Sequence, residues 1–346
     1  MRTGARAGNG KRMRIVHDYQ YTRPEDRGAS AAIGNFDGVH LGHQAVIDLA
    51  RRSAPGAPLG VMTFEPHPRE YFAPDSAPFR LMSAETRAAR LEKLGVERLY
   101  QLNFNTVLAS LTPRDFADRV IRKGFGLVNV VVGADFCFGK GRAGNVESLQ
   151  AFGEEMGFGV TVADLLETGG VQVSSTAIRD ALSEGRPRDA AALLGHWHRI
   201  EGKVVGGEQR GRELGYPTAN MSIDGLHPPR FGVYAVLVDV RDGPHKGSYH
   251  GAASIGVRPM FDGEGPNIET FLFFDAENPS SVFACMAAAR ENARVVRTAL
   301  TSPVWDAINT AFQELNQFRR MERSKLALSD LTEWTMRSCA LIRGSI

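Results

Sequence analysis

The run Gly34-Asn35-Phe36-Asp37-Gly38-Val39-His40-Leu41-Gly42-His43 follows the short apolar stretch Ala31-Ala32-Ile33. No other segment restricts the fold as much. An apolar strand that breaks on glycines and resumes at helical spacing is the unit from which parallel α/β sheets are built. The small residues let a phosphate approach backbone N–H groups, and the positive end of a helix adds to the attraction. His40 and His43 stand at i and i+3, so they share one helix face and can both reach a phosphate oxygen. A His pair at this spacing is also a metal-binding pattern, but Leu41-Gly42 stands where a zincin carries the glutamate of H-E-x-x-H. The remaining alternative is a plain glycine-rich loop beside two surface histidines.

The same alternation continues downstream. Strands are expected at 31–33, 59–64, 98–102, 128–132 and 160–162, with helices at 43–53, 84–94, 112–123, 146–155 and 176–183. That order predicts a parallel sheet whose first strand-to-helix turn carries the histidines, where open α/β sheets bind ligands. After Gly185-Arg186-Pro187 the pattern changes to β-like runs at 199–205, 232–240, 251–255 and 268–274, punctuated by Gly and Pro. These suggest a small barrel or sandwich. A linker is expected at 186–198. Beyond 276 the pattern is helical again: Ser302-Pro303 reads as a helix start, and Val304, Trp305, Ile308, Phe312 and Leu315 follow at packing intervals.

With 346 residues, two domains are expected. The net charge of +2, with no basic block, argues against a dedicated nucleic-acid binder. Cys137, Cys285 and Cys339 are too few and too scattered for a disulfide framework or a zinc site, which fits a reducing cytoplasm. No apolar run approaches the roughly 20 residues of a membrane span. Residues 1–12 lack a secretory h-region, and a disordered tail or an upstream start is expected there, before the strand-like Met13-Arg14-Ile15-Val16. Nothing in the residues points to a particular oligomeric state.

Three further segments bear on chemistry in the first half. Thr63-Phe64-Glu65-Pro66-His67-Pro68-Arg69 ends the second strand in a proline-stiffened loop, either structural or functional. Gly133-Ala134-Asp135-Phe136-Cys137-Phe138-Gly139 continues into Lys140-Gly141-Arg142, offering a carboxylate, glycines and two cations. Ser174-Ser175-Thr176-Ala177-Ile178-Arg179 opens a helix with three hydroxyls and an arginine one turn on, either a phosphate cradle or an ordinary cap with a surface arginine. The 139–144 run matches G-x-G-x-x-G, and Asp164 sits near a ribose-binding position. A dinucleotide fold, however, ends its strand directly on the first glycine, and here residues 133–138 intervene. A Walker A loop fails as well, because Gly133 is one residue too far from Gly139-Lys140 and Gly141 replaces the hydroxyl residue. In the second half, Gly211-Arg212-Glu213-Leu214-Gly215-Tyr216-Pro217-Thr218-Ala219-Asn220 again permits close backbone approach. Thr218 and Asn220 are neutral oxygen ligands suited to Mg²⁺ on a nucleotide, and a turn with an Asx cap is the alternative.

Taken in order, the G-x-F-D-G-x-H-x-G-H, T-F-E-P-H-P, G-x-D-F-x-F-G, S-S-T-x-x-R and G-R-x-L-G-Y-P-T-A-N runs closely resemble the bacterial bifunctional riboflavin kinase/FAD synthetase family over about residues 13–274. The resemblance implies a Rossmann-like nucleotidyltransferase domain at 13–185 and a small β-barrel flavokinase domain with terminal helices at 199–346. It implies riboflavin, FMN, FAD and ATP as substrates and products, with Mg²⁺ as the metal. Carried over by position, His40, His43 and Arg179 would handle ATP phosphates in adenylyl transfer. Gly34, Asn35, Phe36, Asp37, Gly38, Gly42, Asp135, Ser174, Ser175 and Thr176 would line that nucleotide site. Gly211, Arg212 and Pro217 would do so in the kinase, where Thr218 and Asn220 would hold Mg-ATP.

The family's pattern breaks after Ile268-Glu269-Thr270-Phe271. Ala276-Glu277-Asn278-Pro279 replaces the expected acidic turn, residues 276–318 are atypical, and Arg320-Met321-Glu322 stands where a delayed R-x-E run would fall. Glu322 is the candidate kinase base; a solvated charge on a helix and a remodelled or frameshifted segment are the alternatives. Within the enzyme class the second reading is FAD synthesis alone with the kinase lost. Outside it stand a flavin-binding regulator without turnover and a dinucleotide-dependent oxidoreductase.

Overall fold

The computed structural model describes residues 12–164, 166–168, 170–205, 218–243, 246–256 and 266–273. These fall into two compact units. One comprises the described residues up to Arg179 with Ala190–Glu201; the other comprises Asp180–Asp189 and the described residues from Gly202 onward.

The first unit is an α/β sheet. β1 (Arg14–Val16) and β2 (Ser30–Ile33) precede α1 (Leu41–Ser53), and β3 (Leu59–Glu65) leads to the short α2 (Pro68–Phe72) and to α3 (Ala84–Lys93). β4 (Arg98–Asn103) is followed by α4 (Thr106–Ala109) and α5 (Pro113–Asp115), which runs on as a π-helix over Phe116–Gly124. β5 (Asn129–Gly133), α6 (Val146–Met156) and β6 (Gly159–Ala163) complete the sheet. Its six strands are all parallel, in the order β1-β4-β3-β2-β5-β6.

β2 is buried along its whole length, as expected of a central strand covered on both faces. Its side chains alternate between two cores. Ala31 and Ile33 join Phe116, Val120, Phe125 and Leu149 on the side of the π-helix and α6. Ala32 joins Ile47, Ala50 and Leu91 on the side of α1 and α3. The polar exception, Ser30, is satisfied by donating to the Ala50 carbonyl at 2.7 Å. From β2 the chain moves to β3 on one side, whereas β5 and β6 lie on the other. The order therefore reverses between β2 and β5, and a crevice for ligands opens at their carboxyl ends.

A small hairpin of β7 (Glu167–Thr168) and β8 (Val171–Gln172) precedes α7 (Ser175–Ser183) and α8 (Pro187–Leu194). The second unit carries an antiparallel sheet of β9 (Thr218–Ser222), β10 (Gly232–Val240), β11 (Gly247–Gly256) and β12 (Asn267–Phe273), in the order β10-β11-β12-β9.

Two expectations change. The stretch 186–198, read as a linker, contains α8. Pro187 suits a first helical position, and Ala190, Leu193 and Leu194 are buried at i, i+3 and i+4. The run 199–205, read as a strand, contributes a single bridge, Val205 to Asn220. The helix expected at 302–315 and the atypical segment 276–318 lie outside the described residues.

Candidate functional site

β2 delivers the glycine-rich run to the carboxyl end of the sheet, and the backbone there turns sharply. Phe36, Gly38 and Val39 have φ of 53°, 85° and 43°. Gly38 is required both for its left-handed backbone and for space, because a Cβ there would sit 2.8 Å from Leu81 Cδ1. The turn is tied down: Gly34 N–H donates to the Met62 carbonyl at 3.1 Å, and the Thr63 hydroxyl donates to the Asn35 carbonyl at 3.0 Å. α1 then begins with His40 as its N-cap, whose Nδ1 accepts from His43 N–H at 3.3 Å. At Gly42 an added Cβ would press on the His40 ring at 3.2 Å, so the helix start stays open to a ligand.

The two imidazoles stack, with ring centroids 3.6 Å apart and planes 18° from parallel, and Phe36 packs 5.0 Å from His43. Burial, and then the Arg179 charge, lowers the His40 pKa to about 4. Burial, followed by His40 and Arg87, holds His43 well below its ordinary value. Both are neutral at pH 7. Since His40 Nδ1 accepts, its Nε2 carries the proton and can donate. His43 Nδ1 is buried with no hydrogen-bond partner among the described residues.

α7 closes this site with the hydroxyl-rich run. The Ser174 hydroxyl caps the helix by accepting from Ala177 N–H at 3.1 Å, and the Ser175 hydroxyl donates to the Asp37 carbonyl at 2.9 Å. Arg179 donates to the buried Asp37 carboxylate at 3.0 Å, to the Phe79 carbonyl at 3.3 Å and to the exposed Thr176 hydroxyl at 3.4 Å. Asp37 also accepts from Leu81 N–H at 2.8 Å, yet burial outweighs these partners and raises its pKa. Ser174 and Ser175 thus hold the frame, while Thr176 lies at the surface. Asp135 is exposed, two residues beyond the end of β5, the strand that pairs with β2.

Below the turn lies a network that the motifs do not reveal. Arg87, almost fully buried, donates to Glu65 at 2.8 Å and to the Asn35 carbonyl at 3.3 Å. Arg80 donates to Glu65 and, at 2.7 Å, to Glu70. The T-F-E-P-H-P segment is therefore structural in large part. Glu65 anchors two arginines, and His67 caps α2 by accepting from Arg69 N–H at 3.0 Å. No local signal marks Arg80 or Arg87, since each stands outside every motif. The 139–144 glycines form one tight turn at Lys140–Arg142, clear of any strand end, so they make no dinucleotide-binding loop.

In the second unit, Thr218 and Asn220 stand at alternate positions of β9. Asn220 is buried and pairs directly with Glu269 of β12. An Asn oxygen beside a carboxylate belongs to the kind of hard-ligand set that Mg²⁺ takes. Among the described residues, no group of three His, Cys, Asp or Glu is placed to hold a metal ion by itself. Gly211, Arg212, Pro217 and Glu322 lie outside the described residues.

The FAD synthetase family model matches residues 22–177 and the riboflavin kinase model residues 194–295. A bifunctional riboflavin kinase/FMN adenylyltransferase from Pseudomonas fluorescens is 44% identical over 255 residues, covering 73% of this chain and 80% of the relative. The chain belongs to the bifunctional riboflavin kinase/FMN adenylyltransferase family. The Escherichia coli K12 member is 38% identical over 264 residues, covering 76% of this chain and 83% of its own length. A solved structure described as a macrolide-efflux protein from Streptococcus pneumoniae aligns with a TM-score of 0.62 and 29% identity, covering 76% of this chain and 84% of that one. No helix among the described residues is long and apolar enough to cross a membrane. Residues 248–346 also match the model of a predicted α-helical domain with a conserved ER motif, in the region where the sequence leaves the family's pattern.

Proposed function

We propose that this family member makes FAD from riboflavin in two ATP-dependent steps. Riboflavin is phosphorylated to FMN within residues 199–346, and FMN is adenylylated to FAD within residues 13–185. The observation that carries the adenylyl-transfer half is the convergence of Asp37, His40, His43 and Arg179 at the start of α1. An FMN phosphate oxygen attacks the α-phosphorus of ATP, the bond to the bridging oxygen breaks, and pyrophosphate leaves. The nucleophile is already anionic, so the site must align it and stabilise charge rather than remove a proton. His40 and His43 do this as neutral N–H donors at a helix N-terminus, whose first N–H groups have no intrahelical partners. The unmet hydrogen-bonding capacity of His43 Nδ1 supports this reading. Arg179 supplies the fixed positive charge, held in place by Asp37. Gly34, Asn35, Phe36, Gly38 and Gly42 shape the cradle, with Thr176 and Asp135 at its rim.

The kinase step starts from a neutral ribityl hydroxyl. Its oxygen attacks the γ-phosphorus, ADP leaves, and a positioned carboxylate takes the proton. Glu269, paired with Asn220 across the sheet, is the carboxylate that the described residues bring to the family's P-T-A-N run. We therefore prefer it to Glu322 as the base. Thr218 and Asn220 would hold Mg²⁺, which when bound neutralises the nucleotide's phosphate charge. The scattered cysteines support a reducing cytoplasm as the setting, and the near-neutral charge supports small-molecule substrates rather than nucleic acid.

Chromatography of flavins after incubation with Mg-ATP and either riboflavin or FMN tests both halves. FAD from both substrates is the expected result. FAD from FMN alone would leave an adenylyltransferase without its kinase, and no FAD from either would overturn the reading.

A further inference from the structure

The riboflavin kinase match begins at residue 194, yet Ala190–Glu201 belongs to the first compact unit. The contacts of this stretch fall on the histidine-bearing loop. The Gln44 side-chain amide, one turn into α1, donates to the Val39 carbonyl at 2.9 Å and to the Leu194 carbonyl at 2.9 Å. His196 lies between two carbonyl oxygens, Nε2 at 3.2 Å from that of Gly38 and Nδ1 at 2.8 Å from that of Trp197, and its neutral ring donates to one of them. The buried Leu194 side chain covers Gly38 so closely that an added Cβ there would sit 3.2 Å from Leu194 Cδ2. Gly195, with φ of 71°, lets the chain close over Leu41, because a Cβ at Gly195 would lie 2.5 Å from Leu41 Cδ2. Residues 194–196 thus pack on Gly38 and on Leu41, the first residue of α1, while Gln44 ties the Leu194 carbonyl to that of Val39.

We propose that residues 194–196, with Gln44, are a positioning clamp for FMN adenylylation: they hold the 38–41 backbone so that the N–H groups at the start of α1 and the His40 ring face the nucleotide phosphates. Strained backbone needs such external support. Val39 and Gly38 both sit at positive φ, and a non-glycine residue in that region is held only by its surroundings. The strained Val39 is held through its carbonyl by Gln44, and the Gly38 carbonyl lies against the His196 ring. The clamp touches no reacting atom and acts through the loop. It also assigns to adenylyl transfer a segment that sequence comparison places with the kinase.

The inference rests on the adenylyl-transfer reading above, and the full-length chain tests it. Gln44→Met removes the amide that bonds the Val39 and Leu194 carbonyls, and His196→Ala removes the ring packed against the Gly38 carbonyl, neither adding charge. His196→Gln keeps an amide N–H directed at the Gly38 carbonyl. In His196→Ala and Gln44→Met, the KM for ATP in FMN adenylylation is expected to rise roughly tenfold, in keeping with loss of one or two neutral hydrogen bonds. Riboflavin phosphorylation is expected to stay within about twofold of the parent, and His196→Gln to recover most of the lost affinity. A general folding defect would lower the turnover of both reactions at unchanged KM. That result would overturn the clamp, as would unaltered FAD formation in both variants. Failure of the parent chain to make FAD from FMN would instead overturn the proposed function itself.

Discussion

At the scale of single residues, the site depends on imidazoles kept neutral by burial. His40 has a folded pKa of about 4 against an ordinary 6.5. As pH falls, the unfolded chain takes up the proton first, so stability contributed by the neutral ring is complete above 6.5 and is lost between 6.5 and about 4. The full loss is of order 3 kcal/mol. His67, half-buried and also lowered to about 4, adds to the loss in the same window, whereas Asp37, raised by burial, works against it. His40→Asn retains a capping oxygen for α1 while removing the titrating group. Its unfolding free energy should therefore depend less on pH than the parent's, by about 2 kcal/mol between pH 7 and pH 5. Denaturant titrations at the two values measure the difference; equal slopes would show that His40 is already protonated when folded. On the proposed mechanism FAD formation should likewise keep its activity through pH 6.5 and fall on approach to pH 4, where protonation takes from His40 Nδ1 its acceptor role at the start of α1.

At the scale of elements, β3, α2 and α3 are joined to the site loop through Glu65. Its carboxylate holds the nearly buried Arg87 and Arg80 together, with Arg87 reaching on to the Asn35 carbonyl. Removing one partner of such a buried set leaves a charge without compensation and costs about 3–5 kcal/mol. Glu65→Ala is expected to fall in that range. The double variant Glu65→Ala/Arg87→Leu should lose about 1–3 kcal/mol less than the sum of the singles, as a double-mutant cycle of unfolding free energies would show. These elements show what could be read in advance. Each of the first unit's expected strands and helices is present, because apolar runs separated by glycine and proline report burial directly. β1 and the turn after β2 were legible for the same reason. The Glu65 network was not, since an ion pair between residues 22 positions apart leaves no local pattern. α8 was missed because its eight residues are flanked by Gly185 and Gly195, and glycines at both ends resemble a linker. β9 was not read as a strand at all: Thr218–Ser222 follows a glycine- and proline-rich run whose composition suggests a ligand loop or an Asx-capped turn, and its pairing with β12 leaves no local pattern.

At the scale of the whole molecule, the two proposed sites stand on unlike frameworks, a parallel sheet and an antiparallel one. His43 lies at the start of α1 in the first unit, and Asn220 and Glu269 face each other in the second. Single substitutions should therefore separate the two reactions. His43→Ala is expected to abolish FAD formation from FMN and spare FMN formation from riboflavin, while Asn220→Ala should do the reverse; equal loss of both activities in either variant would refute separate sites. The kinase base is settled by the same assay. A carboxylate that accepts the ribityl proton contributes about 10²–10⁴-fold to the rate. Glu269→Gln keeps the shape of the side chain and removes that capacity, so riboflavin phosphorylation should fall by about that factor while FMN adenylylation is unchanged. Glu322→Gln should leave both rates close to the parent's. The opposite pattern, with Glu322 essential and Glu269 dispensable, would place the base in the segment where this chain leaves its family's sequence pattern, within the stretch that the α-helical-domain model also matches.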